Sequence, residues 1–484
     1  MNLLDYAVVL GYVAVIVILG SSFFNKNKSL KDYLLGGRNI PWWAAALSGL
    51  AISTGSLLGA PGQAFKSDFT YMQYRLVLPV AIALNVLLII PTYYKMNLLS
   101  VYEYLERRFD LKTRLFASGL FILLKCFFLG LVIYSSSLVV AEISGANLLL
   151  VIVLLGVIAT VYTMLGGIEG VIWTDVLQMT VLFGGVIAAI WVVVSRVDGG
   201  FSEVLAVASS EGKFRFINTS TSFTDEFTLW NGLLGGTFIM LALNGVDQSE
   251  TQRFLTTPTL RQSQIAISAT MITNTIYGLG VYSLGMILYV FYLQHPEKGG
   301  FGINPDRVFP KFIVEELPVG ITGLVVAAVF SAGMSSMAAV LSSQSTVVLE
   351  DFYSRLTGKE STTRLARIGI VVFGVISTII ATQVSALGTI LVASNKLVTF
   401  FGGTLVGVFL LGMLTKRANG WGAFLGAITG ITGVALLSAF TPVAFLWYGV
   451  FSGALAFSSG YIYSFFFKKA DRAKEAPAET EAEK

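Results

Sequence analysis

Two adjacent hydroxyls, Ser335 and Ser336, interrupt a long apolar stretch, and Ala332 precedes them. The i, i+3, i+4 spacing puts all three on one helical face. Hydroxyls in an apolar helix either bond back to their own backbone or offer oxygen to a small cation. A second stretch supplies a complement. It reads Ser48-Gly49-Leu50-Ala51-Ile52-Ser53-Thr54-Gly55-Ser56 and then Gly59-Ala60-Pro61-Gly62. Glycine, hydroxyl and proline together invite an interrupted helix. Unwinding would free the carbonyls of Gly49 and Ile52 to complete a five-oxygen shell with Ala332, Ser335 and Ser336.

Such a site needs elements that hold it inside a membrane. Of the 484 residues, 55% are hydrophobic and only 12% charged, about half the charge of a soluble domain. A soluble enzyme, a nucleic-acid binder and a disordered scaffold are excluded as readings. Thirteen spans are expected, an all-α membrane protein: 5–23, 41–63, 72–94, 115–143, 148–164, 170–195, 228–248, 264–292, 316–347, 368–383, 388–414, 421–437 and 444–467. With the N-terminus outside, cytoplasmic segments hold 22 Lys and Arg against seven outside, the bias that sets orientation. Arg75, Lys125 and Lys396 fall within spans. The first span lacks the basic flank of a cleaved signal. The outer stretch 196–227 has room for a short helix, and the tail 468–484 reads as disordered.

The seventh span also looks interrupted, at Gly232, Gly235-Gly236-Thr237 and Asn244-Gly245. It lies five spans after the second, as expected if spans 2–6 (41–195) and 7–11 (228–414) form two inverted repeats. Paired interruptions point to a binding site at mid-membrane. Glycines that merely let helices pack closely are the alternative. Cys126 is the sole cysteine and His295 the sole histidine, in a polar stretch that reads as loop. One of each excludes a disulfide, a multi-His metal site and a histidine proton relay.

Several longer motifs carry a resemblance. They are Asp32 to Arg38 (DYLLGGR), Ser100 to Asp110 (SVYEYLERRFD) and Tyr162 to Asp175 (YTMLGGIEGVIWTD). Gly245-Val246-Asp247-Gln248 with Gln252-Arg253, and Gly412 to Arg417, add to them. On these the chain resembles the sodium:solute symporter family nearly end to end, and looks closest to its sialic-acid branch. The resemblance implies a LeuT-like core of five plus five spans, with one extra helix before and two after. It also implies a sodium site at Gly49, Ile52, Ala332, Ser335 and Ser336, with Asp175 as a buried aspartate nearby that takes part in coupling. Members with a second sodium site use hydroxyls one turn further along, where this chain has Ala338 and Ala339. One sodium per cycle is therefore expected.

The substrate is less constrained. The sugar branch has an aromatic gate where this chain has Leu243 and Asn244, and the sialic-acid branch an arginine where it has Phe128. Lys125 lies one turn earlier, Arg75 stands where relatives face substrate, and Lys396 lies at the level of an outer gate. An intramembrane charge costs about 2.5–3.5 kcal/mol on insertion scales, so it faces a cavity, a partner or the interface. Lys396 could instead pair with Asp175 or a helix C-terminus. Three cations against one buried acid leave the interior positive, suited to a carboxylate. Ser53, Thr54, Ser56 and Gln73 could bond hydroxyls, as a sugar acid would need. The expectation is a sodium-coupled importer without a cofactor, in a bacterial inner membrane, working as a monomer. A monocarboxylate, pantothenate or neutral sugar is the alternative cargo. A proton-driven carrier, a channel, a membrane enzyme and a non-transporting sensor are weaker readings.

Overall fold

The computed structural model describes residues 2–23, 30–50, 52–383 and 396–467, apart from the side chains of Lys31 and Ile143. The start of the eleventh expected span and the tail 468–484 lie outside these residues. Among the described residues there are helices and no strands. Nine helices among the described residues are long and apolar enough to cross a membrane.

Helix α1 (Leu3–Ser22) starts with a capping box in which Asn2 and Asp5 satisfy each other's backbone. Asp5 also accepts from the N–H groups of Gly320 (2.7 Å) and Gly323 (3.0 Å), which explains an acid buried in an apolar helix. The second span is two helices, α2 (Trp42–Ser48) and α3 (Thr54–Lys66). Helix α4 (Phe69–Lys95) opens as a 3-10 turn and contains a π-turn at Asn85–Ile89. Helix α5 (Leu111–Ser144) is capped by Asp110 and ends at left-handed Gly145.

The fifth and sixth expected spans run on as one element, α6 (Leu148–Arg196). Gly167 divides it at φ 60°, ψ −167°, a conformation essentially reserved for glycine. The stretch 196–227 contains the helix Gly200–Ser210. Then come α7 (Leu229–Val246), the short α8 (Gln248–Phe254), α9 (Leu260–Gln294) and α10 (Val308–Glu316). Helix α11 (Ile321–Thr357) follows, and its most apolar window is 89% buried, which puts it at the centre of the bundle. The rest are α12 (Thr363–Ala381), α13 (Val398–Leu414), α14 (Gly420–Phe440) and α15 (Leu446–Tyr463).

Of the interruptions expected in the seventh span, Asn244-Gly245 falls in the break, whereas Gly232 and Gly235-Gly236-Thr237 lie in regular helix. The last five residues of α7, Ala242–Val246, form a π-turn, and Asp247 turns extended before α8. Gly232 and Gly236 instead pack against Gln73 and Tyr74 of α4, and Gly235 against Leu446, where a Cβ would collide with backbone. His295 lies just beyond α9, stacked on Phe291.

The Ser100–Asp110 motif ties several helix ends together. Asp351 of α11 accepts from Ser100, Ser118 and Arg114, the last at 2.5 Å. Arg108 donates to the carbonyls of Gly412, Thr415 and Ala418, capping the end of α13.

Candidate ion and substrate site

The break between α2 and α3 faces α11. Gly49 caps α2 with its N–H bonded to Ala45, and Ser53 caps α3. A Cβ on Gly49 would lie 2.8 Å from Phe254 of α8 and 3.1 Å from Thr270 Oγ1 of α9, so only glycine lets the three meet. Asn274 of α9 donates to the Leu50 carbonyl (2.8 Å), and Ser336 Oγ donates to the Ile52 carbonyl at 3.3 Å.

The hydroxyls of α11 differ in what they bond, and Ser345 reaches across to the Ala366 carbonyl of α12. Ser331, Ser343 and Thr346 bond back to carbonyls of their own helix. Ser335 Oγ, near the Asp175 carboxyl, is buried with no hydrogen-bond partner of good geometry. Ser336 turns across to the break. Gly333 lets this face approach Thr54 and Ser136, which bond each other at 2.7 Å. The result is a set of neutral oxygens between a broken helix and an intact one, chemistry suited to a monovalent cation. Ala338 and Ala339, also buried, add none.

Asp175 of α6 is fully buried. Its Oδ2 accepts from Ser48 Oγ (2.5 Å), the last residue of α2, and from Arg253 Nη2 (2.9 Å) of α8. Its Oδ1 has no hydrogen-bond partner of good geometry among the described residues. Arg253 also reaches Glu250 at 3.2 Å.

The structure revises several substrate expectations. Lys125 is not free to clamp a carboxylate: its Nζ lies 2.5 Å from Asp247 Oδ2 at the α7–α8 junction, with both side chains 7% exposed. The interior is not positive either, because Asp247 and Glu250 are buried with Asp175. Asp247 sits at the very end of the expected seventh span, and Glu250 where the sequence reads as loop. Only the tuck of α8 beneath the break buries them. Lys396 is exposed, and Asp175 pairs with Arg253 rather than with it. Gln73 spends its amide on Thr70, Phe227 and the N–H of Asn218, holding the end of the stretch 196–227. Thr54 faces Ser136 and the Val329 carbonyl, and Ser56 bonds back to Ser53.

Arg75 is half-buried and donates to the Asn274 carbonyl (3.0 Å), its side chain and Thr275. It thereby meets the residue that holds Leu50 in the break. Phe128 lies under the Lys125 ammonium, 5.0 Å from ring centre. Leu243 and Asn244 belong to the π-turn; Leu243 borders a small cavity beside Asp247, and Asn244 bonds back to Met240. Sequence reasoning assigned no role to Ser48, Asp247, Glu250, Arg253 or Asn274. Asp247 and Arg253 had a signal, as part of a long motif.

The family model of the sodium:solute symporters matches residues 33–430. The chain belongs to the sodium:solute symporter family. It is 33% identical to the sodium/sialic acid symporter SiaT of Proteus mirabilis, over 99% of this chain and 98% of that one. It is 32% identical to the sodium/sialic acid symporter NanT of Aliivibrio fischeri, over 96% and 94%. The human sodium-coupled monocarboxylate transporter 1 is 29% identical over 88% of this chain and 72% of its own. A solved substrate-bound, outward-open Na+-coupled sialic acid symporter superposes with a TM-score of 0.90, at 31% identity over 97% and 99%. Mhp1, a nucleobase-cation symporter at 15% identity and a TM-score of 0.57, shares the fold. As in these relatives, the all-helical symporter couples a solute to sodium across a membrane; it is a carrier and not an enzyme.

Proposed function

We propose that the chain is a thirteen-span importer of a carboxylate-bearing solute, sialic acid first among candidates, with one sodium per cycle. Thirteen follows by splitting α6 at Gly167, taking α2 and α3 as one broken span, and adding α13 and α15 to the long helices. The N-terminus lies outside and the C-terminus in the cytoplasm, following the Lys and Arg bias; a bacterial inner membrane and a monomeric working unit complete the reading.

One observation carries the ion. Among the described residues, Ser336 Oγ leaves its own helix for the Ile52 carbonyl of the α2–α3 break, and the adjacent Ser335 Oγ is buried with no hydrogen-bond partner of good geometry. Sodium held by Gly49, Ile52, Ala332, Ser335 and Ser336 ties the broken span to α11. It thereby favours one arrangement of the repeats, and its release on the low-sodium side lets the other form. The two sialic-acid symporters support the cargo. With Lys125 engaged, Arg75 is the cation left for the carboxylate. Through Asn274 a bound anion would act on the same break.

The test is uptake of labelled sialic acid into proteoliposomes under an inward sodium gradient or an equal potassium gradient. The proposal expects uptake with sodium only, and a raised KM in Arg75→Ala. No uptake in either gradient sinks the sialic-acid reading and turns the assay to uronates, pantothenate and short monocarboxylates.

A further inference from the structure

Five ionisable side chains from three helices and a junction meet beneath the break: Lys125 of α5, Asp175 of α6, Asp247 between α7 and α8, and Glu250 and Arg253 of α8. None is more than 7% exposed. They form an ion pair and a neighbouring triad, Lys125 with Asp247 at 2.5 Å, and Arg253 with both Glu250 at 3.2 Å and Asp175 at 2.9 Å. With every group ionised there are two cations and three carboxylates. One negative charge is left uncompensated in a buried setting, where it is costly.

Two positive charges are within reach to cancel it. The five-oxygen site beside Asp175 consists of carbonyls and hydroxyls only, so a sodium ion there brings a charge that its own ligands do not cancel. Ser48, bonded to Asp175, directly precedes the Gly49 ligand, and the unpartnered Asp175 Oδ1 leaves that carboxylate short of positive charge. The alternative is a proton, and the three carboxylates are not equivalent. Asp247 has Lys125 and the Ser249 N–H, and Asp175 has Arg253 and Ser48. Glu250 has only a share of Arg253.

We infer that Glu250 is a proton-binding site linked to sodium: the cluster carries a proton at Glu250 or sodium at the neighbouring site, and each weakens the other. The inference rests on the sodium site proposed above. Acidification then lowers sodium affinity, and sodium binding expels the Glu250 proton to solvent by the same coupling. Burial is the largest influence on this carboxyl and raises it to about 7, against the pull of Arg253 and Lys125 and with Asp247 and Asp175 adding to the rise. The exchange therefore falls near neutral pH.

Thermal melting of the purified full-length carrier against NaCl, with choline chloride holding ionic strength, gives the sodium midpoint at each pH. For the wild type the midpoint should rise on the order of tenfold from pH 8.5 to 5.5. Glu250→Gln should give a pH-independent midpoint at the weak, acid value. A pH-independent wild type, or a Glu250→Gln that keeps the wild-type slope, overturns the inference and leaves the sodium site standing. Absence of sodium stabilisation at every pH overturns both. Should Glu250→Gln fail to fold, the wild type alone decides: sodium added in weak buffer near pH 7 should release protons, and no release refutes the linkage.

Discussion

Neutralising Lys125 separates a structural tie from a substrate clamp. Lys125→Met strips the counter-charge from Asp247 and takes the cluster from one surplus negative charge to two. Breaking a buried pair in this way costs about 3–5 kcal/mol. Asp247→Asn should cost less, because it takes the surplus to zero and an asparagine can still accept from the Ser249 N–H that Asp247 caps at 2.8 Å. About 1–2 kcal/mol is expected, for a lysine left without its partner but with the aromatic faces of Phe121 and Phe128. The double variant restores the original charge balance, so the two costs should not add. A coupling energy of roughly 2–3 kcal/mol should appear in the double-mutant cycle. Reversible unfolding in mixed detergent micelles measures it, with uptake followed in parallel. If Lys125→Met unfolds like the wild type and loses only apparent substrate affinity, the tie is wrong and Lys125 is a clamp.

Gly49→Ala should weaken apparent sodium affinity in uptake titrations, because buried Phe254 and Thr270 leave no room for the Cβ and overpacking costs roughly 1–3 kcal/mol. Wild-type affinity in this variant would contradict the close approach. Gly167→Ala should lower the melting temperature, since an L-residue at φ 60°, ψ −167° is strained by roughly 1–3 kcal/mol. Lys213, in the connection between α6 and α7, donates to the Phe65 and Ser67 carbonyls at the end of α3, and burial pulls its ammonium down to about 8 against Asp68 and Glu211. Between that value and the ordinary lysine range near 10.5 the unfolded chain holds a proton that the folded one has released. Stability should therefore rise with pH across this window, and melts of Lys213→Met should lack that rise.

Local chemistry explains which parts of this arrangement the sequence reveals. The α2–α3 break is legible because glycine, hydroxyl and proline cluster where a span must run. The face of Ala332, Ser335 and Ser336 follows from helical spacing alone. In the seventh span Asn244-Gly245 marks the break, whereas Gly232, Gly235 and Gly236 serve close packing, a use the sequence does not distinguish from unwinding. What stays hidden is pairing across elements. Asp247 and Glu250 carry no burial signal of their own, because burial comes from α8 folding back under the break. Lys125 therefore looks like an unpaired cation awaiting a substrate. Gln73 and Thr54 likewise have suitable chemistry, but the α6–α7 connection and α5 use their hydrogen bonds.

Concentrative uptake tests the central claim most directly. Labelled sialic acid should accumulate above its outside concentration in wild-type proteoliposomes while an inward sodium gradient lasts, and leak back when the gradient collapses. Ser335→Ala/Ser336→Ala should abolish accumulation although the protein still folds. Undiminished sodium-driven accumulation by that double variant would contradict the account.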